Sequence, residues 1–331
     1  MATPAPRRIG GIHHVTAIAG DPQENVDFYA GVLGMRMVKR SVNQDDPGTY
    51  HLFYADGGAH PGSDLTLFPW AHGAPGRNGT GLANEVVFAV VPGSIPYWSA
   101  RLAAAGVKAR DPVERFGERV LTFHDPHGLR LAIAETPRAT ERPFTAWEKS
   151  PVPPEHQIRG IHAVRVSEGR IEPTVAFVTQ AFGMQHAGTD GEWHRYEGRD
   201  PWSGYLELRA EPGVPRGAWG VGTVHHVAWR VQDDEEELAV QRAVRAAGGN
   251  PTSVIDRFWF KSVYFREPGG VLFELATDGP GFGVDEPLDK LGETLVLPPW
   301  LEPHRAAIEA RLPRLRLPHE EAAAAPEARQ A

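Results

Sequence analysis

The sequence predicts an α+β fold: four βαβββ modules closing into two cup-shaped mixed-sheet barrels, with a C-terminal helix after them. Three observations carry this expectation. First, Gly11-Ile12-His13-His14-Val15 returns as Gly160-Ile161-His162-Ala163-Val164. At nearly the same separation, Phe28-Tyr29-Ala30-Gly31-Val32-Leu33-Gly34-Met35 returns as Phe177-Val178-Thr179-Gln180-Ala181-Phe182-Gly183-Met184, so a unit has been duplicated. Second, two further segments, 82–90 and 223–231, begin like the repeated ones, rich in β-branched and aromatic residues as strands are. Third, each of the four starts precedes a helix candidate and then two or three short strands. A sheet with helices on one face must bury its other face, and two modules facing each other make a cup.

In order, the helix candidates are 22–33, 93–105, 172–182 and 233–247. The last has an acidic first turn that complements the helix dipole, and Gly248-Gly249 stops it. In the first module the strands fall at 36–42, 50–54 and 65–68; in the fourth, at 254–255, 262–265 and 271–276. The 36 glycines and 30 prolines punctuate these runs as turns. The modules group by chain order into an N-terminal domain, 9–150, and a C-terminal domain, 155–290, followed by an extension at 291–318. Within 295–317, Ile308, Leu312 and Leu315 recur at helical spacing and predict a helix packed on the body. The first eight residues and 319–331 lack apolar periodicity and are expected to be disordered.

Composition removes several classes of function. With 331 residues, 41% hydrophobic and 23% charged, the chain reads as an ordinary globular protein of about two domains. The net charge is −8 and no basic stripe occurs, which argues against a nucleic-acid partner. There is no apolar run long enough to span a bilayer and no signal-peptide core, so a cytoplasmic, membrane-free protein is expected. With no cysteine there are no disulfides, thiolate ligands or Cys nucleophiles. A homo-oligomer is expected.

Fifteen histidines are present, and most histidines in proteins are plain hydrogen-bonded residues. Register singles out two pairs, His13-His14 and His225-His226, at matching positions of two repeated strands. Because side chains alternate along a strand, only one member of each pair can point into a cup, and it must be the same member in both. His162 matches the first member and Ala163 the second, so if the second member is the ligand, His162 has the wrong parity. Glu274 lies mid-strand in Val271-Leu272-Phe273-Glu274-Leu275-Ala276, where a carboxylate is costly unless paired or metal-bound. The bland alternative is a salt bridge to Arg257 or Arg266. Glu207 is its counterpart in the third module, expected to pair with a surface charge. In the first module the matching strand, Leu65-Thr66-Leu67-Phe68, places Leu67 at the counterpart position and Asp64 on the wrong parity, so no fourth ligand is expected. Two His and one carboxylate with open positions suit a non-heme Fe(II) oxygenase; four ligands would suit zinc or an isomerase.

The repeat, His13-His14-Val15-Thr16, the Phe28–Met35 motif and Glu274 resemble the vicinal oxygen chelate superfamily. Asp46-Pro47-Gly48-Thr49-Tyr50-His51, Val221-Gly222-Thr223-Val224-His225-His226, Asp256-Arg257, Tyr264-Phe265-Arg266-Glu267-Pro268-Gly269-Gly270 and Leu297-Pro298-Pro299-Trp300-Leu301-Glu302 resemble one branch of it. That branch is the hydroquinone-type ring-cleaving dioxygenases related to dichlorohydroquinone 1,2-dioxygenase, and the resemblance spans about residues 9 to 315. It implies Fe(II), with Mn(II) as a substitute, at His14, His226 and Glu274. It also implies supporting roles for His13, Thr16, His225, Arg257 and Tyr264, and a small aromatic diol and O2 as substrates. The ligands would come from the first and last modules, which would therefore share a cup. A glyoxalase-like isomerase or thiol transferase, or a non-enzymatic binding protein of the same fold, are the alternatives.

Overall fold

The computed structural model describes residues 8–200 and 202–318. The βαβββ unit occurs four times. The first module runs β1 (Ile12–Ala19), α1 (Pro22–Val26), β2 (Arg36–Asn43), β3 (Asp46–Ala55) and β4 (Asp64–Pro69); the second β5 (Leu82–Val90), α2 (Ile95–Ala104), β6 (Val113–Arg115), β7 (Glu118–His124) and β8 (Arg130–Glu135). The third runs β9 (Gly160–Glu168), α3 (Glu172–Phe182), β10 (Gln185–Asp190), β11 (Trp193–Glu197) and β12 (Tyr205–Ala210); the fourth β13 (Thr223–Val231), α4 (Asp234–Ala246), β14 (Ile255–Asp256), β15 (Lys261–Arg266) and β16 (Leu272–Thr277).

In every module the first and last strands pair in parallel, which requires a crossover, and the helix supplies it. Local signals set the helix ends. The Asp233 side chain accepts from the Glu236 N–H at the start of α4, with Asp234 to Glu237 filling its acidic first turn. Gly183, at φ +63°, ends α3 in the left-handed conformation that glycine adopts without penalty. The helix expected at 22–33 splits, because α1 gives way at Asp27–Val32 to a π-helical turn.

The modules combine into two eight-stranded sheets, ordered β14-β15-β16-β13-β1-β4-β3-β2 and β10-β11-β12-β9-β5-β8-β7-β6. The sheets do not follow the halves of the chain: the first and fourth modules build one, the second and third the other. Antiparallel pairing of β1 with β13, and of β5 with β9, joins the modules. Gly11 and Gly160, both at φ +135°, enter β1 and β9 at matching positions where a Cβ would collide with Ser203 and Arg142 respectively.

Alternation places Val15, Ala17 and Ala19 of β1 in the main core, which also holds Phe177, Phe182, Trp229 and Phe273. Behind the other face of the first sheet lies a smaller cluster of Val38, Phe53, Ala55, Ala228, Phe260 and Ala276. That face is the inside of the first cup. Among the described residues no helix is long and apolar enough to cross a membrane.

Two expectations are corrected at the ends. Arg8 belongs to the ordered body, since its guanidinium donates to the Gly198 carbonyl at 2.6 Å; residues 1–7 and the expected tail at 319–331 lie outside the described residues. The C-terminal helix is only Arg305–Glu309. Pro313 lacks an N–H and disfavours helical geometry at Leu312, so the apolar spacing does not become a long helix. Instead 295–297 runs along the edge strand β2, the Val296 N–H donating to Arg40 O at 3.0 Å, and Ile308 packs with Val42 and Leu297.

Candidate metal centre

The strands that meet at the centre of the first sheet fix the site. Across β1 and β13, His14 faces Ala228 and Thr16 faces His226; across β13 and β16, Ala228 faces Glu274. His14 and Glu274 therefore flank Ala228, and His226 lies two residues before it on the same face. A methyl group at 228 leaves the space between the three side chains open. His14 Nε2 and His226 Nε2 lie 3.4 Å apart, with the Glu274 Oε2 at 3.4 Å from the first and 2.9 Å from the second. All three side chains are buried.

The geometry fits a metal ion. Each imidazole is held through Nδ1, His14 by His13 at 2.9 Å and His226 by His225 at 2.8 Å, which leaves both Nε2 atoms aimed at the shared space. Ser262 Oγ donates to Glu274 Oε1 at 2.5 Å. Glu274 Oε2 is buried and has no well-aligned donor among the described residues, only the two imidazole Nε2 atoms beside it. A buried carboxylate oxygen without a donor is costly, and a cation at the point where the three atoms converge would remove that cost. Burial alone would raise the Glu274 carboxyl, but the imidazoles of His14 and His226 outweigh it and hold the group well below the usual carboxylate range. The carboxylate is thus ready as an anionic ligand. The expected alternative, an arginine partner for Glu274, is not what the structure contains.

The remaining sequence candidates fall into two places. Burial, reinforced by His14, pushes His13 down to about 3; burial, reinforced by His226, does the same to His225. Both rings are neutral at physiological pH and sit beside His14 and His226, whose Nδ1 atoms they hold. Phe260 packs on His13, and Trp219 stacks on His225 at 4.5 Å. Thr16 shares the cup-facing parity of His14 but is not among the cavity-lining residues; its Oγ1 is bonded to Thr66 Oγ1 at 2.7 Å. Tyr264 and Arg257 instead line the cavity that opens over His14 and His226. Tyr264 sits directly across from Glu274 on β15, and burial, with Glu274 adding, raises its phenol well above the usual range. Arg257 is turned toward Asp45, at 3.1 Å, and its guanidinium lies 5.5 Å from the Tyr264 ring centre.

His51 closes the Asp46–His51 motif but was given no role from the sequence, yet it lines the same cavity. Its Nε2 bonds to Thr66 Oγ1 at 2.8 Å, and its ring packs on Phe53 and Phe68. The signal was available in β3, where Leu52 and Tyr54 belong to the main core, so His51, Phe53 and Ala55 must face the cup. Ser262 was also missed; it shares the inward parity of Tyr264 on β15.

Register corrects the counterpart of Glu274 in the first module. Thr66 faces Thr16 as Glu274 faces Ala228, so the counterpart is Thr66 and not Leu67. Asp64 shares the parity of Thr66, but burial, with Asp56 adding, raises its carboxyl well above the usual range, and it stands outside the cluster. The counterpart residue is still no carboxylate. Glu207 is corrected as well: it is buried and bonded to the buried Arg195 and Arg165 at 2.7 and 2.9 Å, not to a surface charge. His162 binds Glu118 at 2.8 Å in the second sheet.

Comparison with known proteins agrees with this architecture. The profile of the Glyoxalase/Bleomycin resistance protein/Dioxygenase superfamily matches residues 11–133 and 160–275. The chain is 43% identical over 302 residues to the "Putative ring-cleaving dioxygenase MhqO" of Bacillus subtilis, covering 91% of this chain and 95% of that one. It is 33% identical over 304 residues to the "Chlorohydroquinone/hydroquinone 1,2-dioxygenase" of Sphingobium indicum, covering 90% and 94%. A crystal structure of a "putative dioxygenase" from Bacillus subtilis superposes with a TM-score of 0.89 at 41% identity, covering 94% of this chain and 99% of that one. Glyoxalase I from Zea mays, at 18% identity, shares the fold with a TM-score of 0.59 over 81% of this chain and 92% of its own. The chain belongs to the Glyoxalase/Bleomycin resistance protein/Dioxygenase superfamily.

Proposed function

We propose that this protein is an Fe(II)-dependent ring-cleaving dioxygenase, with Mn(II) able to substitute, that inserts both atoms of O2 into an aromatic diol. The favoured diol is a hydroquinone, substituted or not, with catechol as the alternative. The observation that carries the reading is the convergence of two imidazole nitrogens and an undonated carboxylate oxygen, with a cavity open above them. Three protein ligands leave positions for both diol and oxygen, the pattern of non-heme Fe(II) oxygenases. The names of the relatives from Bacillus subtilis and Sphingobium indicum point the same way.

Held by His14, His226 and Glu274, Fe(II) would bind diol and oxygen side by side and relay electrons from the diol to oxygen, removing the spin barrier between a singlet diol and triplet oxygen. The chain does the rest. Phe53, Phe68 and Phe260 give the cavity apolar walls that suit a ring and exclude water. His51, fixed through Nε2 by Thr66, has an Nδ1 with no hydrogen bond, available to a substrate hydroxyl. The Tyr264 phenol, kept protonated, donates to a negatively charged oxygen, and Arg257 beside it favours the same charge.

A glyoxalase-like isomerase of this fold would need a fourth ligand, and Thr66, at the counterpart position, is taken up by Thr16 and His51. The experiment is anaerobic Fe(II) loading followed by oxygen-electrode assays with hydroquinones and catechols side by side. Oxygen uptake with a hydroquinone, strictly dependent on iron, is expected. No uptake with either class at full iron occupancy would overturn the proposal.

A further inference from the structure

The second sheet has a cup of its own with a different lining. Register allows a residue-by-residue comparison. Arg165 of β9 faces Glu85 of β5 as Thr16 faces His226, and it sits beside Glu207 of β12 as Thr16 sits beside Thr66. Its guanidinium lies 2.9 Å from Glu207 and 3.7 Å from Glu85. Where the first cup gathers ligands for a mobile cation, the second carries a cation fixed to its own backbone.

Above that guanidinium opens a cleft of about 450 Å³. Arg110, Arg115, Arg130, Arg165 and Arg209 line it, against the carboxylates of Glu85 and Glu211. With Glu207 beneath Arg165, the five arginines meet three carboxylates, which still leaves a local excess of positive charge on a chain whose net charge is −8. Some of that charge is already used, since Arg115 pairs with Glu85 and Arg209 with Glu211, both at 2.5 Å. Arg110 and Arg130 are exposed, and among the described residues neither has an ion-pair partner. Arg209 adds one donor: its Nη2 is held by Glu211, while its Nε has no acceptor among the described residues. Two guanidiniums without ion-pair partners, facing one cleft with a further free N–H beside them, make a site short of an anion.

We propose that the second cup binds a small oxyanion carrying two or more negative charges, a dicarboxylate or a phosphate. The cleft's one aromatic, Trp193, already lies beneath the guanidiniums of Arg165 and Arg209, at 3.7 and 4.6 Å from its centre. A planar ring has nothing free to stack on, whereas carboxylate and phosphate match the fork of arginine donors. The site is separate from the candidate metal centre and independent of the proposed oxygenase activity.

The test is isothermal titration of the full chain before iron loading, at ionic strength held constant with sodium chloride, with succinate and inorganic phosphate as separate probes. Saturable binding of at least one probe is expected, and the tighter of the two identifies the ligand's source. The double variant Arg110→Gln/Arg130→Gln changes two exposed side chains, so it keeps its circular-dichroism spectrum and, after iron loading, its oxygen uptake. Its affinity for the probe falls at least about tenfold. No saturable binding of either probe up to about 10 mM, or unchanged affinity in the double variant, overturns the proposal.

Discussion

At the scale of single residues, the side chains around the candidate centre divide, on the proposed function, into those that would hold a metal ligand and those that would face the substrate. Ser262 holds a ligand: it donates to the Glu274 oxygen that does not face the imidazoles. Replacing it with Ala frees the carboxylate to rotate, and iron affinity, measured by competition with a chelator, is expected to fall about 10- to 100-fold with the fold intact. Tyr264 lines the cavity proposed for the substrate. Tyr264→Phe keeps the ring that packs edge-on to His226 and loses only the hydroxyl. Iron content by metal analysis is expected to stay normal while kcat falls about 100-fold or more. The two variants thus separate metal retention from turnover. The sequence made Glu274 conspicuous because a carboxylate in an apolar strand needs a reason. Ser262 and His51 were not conspicuous, because serine and histidine are unremarkable at half-buried strand positions, and only the parity of their neighbours places them inside.

At the scale of elements, α3 and α4 were legible because acidic first turns and terminal glycines mark their limits independently of the rest of the molecule. Strand register was less legible. The β1–β4 and β13–β16 ladders run without a shift, but a sequence does not state which residues face each other across them, and an offset of one residue is enough to exchange Thr66 for Leu67 as the counterpart of Glu274. The C-terminal segment was misread because its apolar spacing is real but serves a strap. That strap covers the otherwise open edge of β2 and is fastened by Ile308, which is buried against Val42 and Leu297. Ile308→Ala is expected to cost about 2 kcal/mol in denaturant unfolding. Amide exchange should rise along Arg36–Asn43 if the strap protects that edge, and remain unchanged if it does not.

At the scale of the whole molecule, the two sheets share one core, and a pair of carboxyl groups lies at their junction. Glu168, at the end of β9 in one sheet, lies against Glu267, in the turn before β16 of the other, and Gly269 has no Cβ because the Glu168 carboxyl occupies that space. Burial, with the Glu267 charge adding, raises the Glu168 carboxyl far above its unfolded value. The folded state therefore binds a proton that the unfolded state has released. The stabilising contribution is complete below the unfolded carboxylate range and is lost as pH climbs toward the raised folded value. Glu168→Gln removes this dependence, and at pH 8 it should gain about 1–2 kcal/mol, seen as a Tm higher by a few degrees and a flatter Tm-against-pH curve. The same scale governs the site itself. Duplication was readable from the repeated motifs, but that the first and fourth modules share a sheet depends on pairing between strands some two hundred residues apart in sequence, such as His14 with Ala228. This pairing brings residues 14, 226 and 274 to one point, and metal analysis after anaerobic Fe(II) loading tests it most directly. One iron per chain is predicted for the unaltered protein, and almost none for His14→Ala, His226→Ala and Glu274→Ala proteins whose circular dichroism shows them folded. A folded variant that retained its full complement of iron would contradict the account.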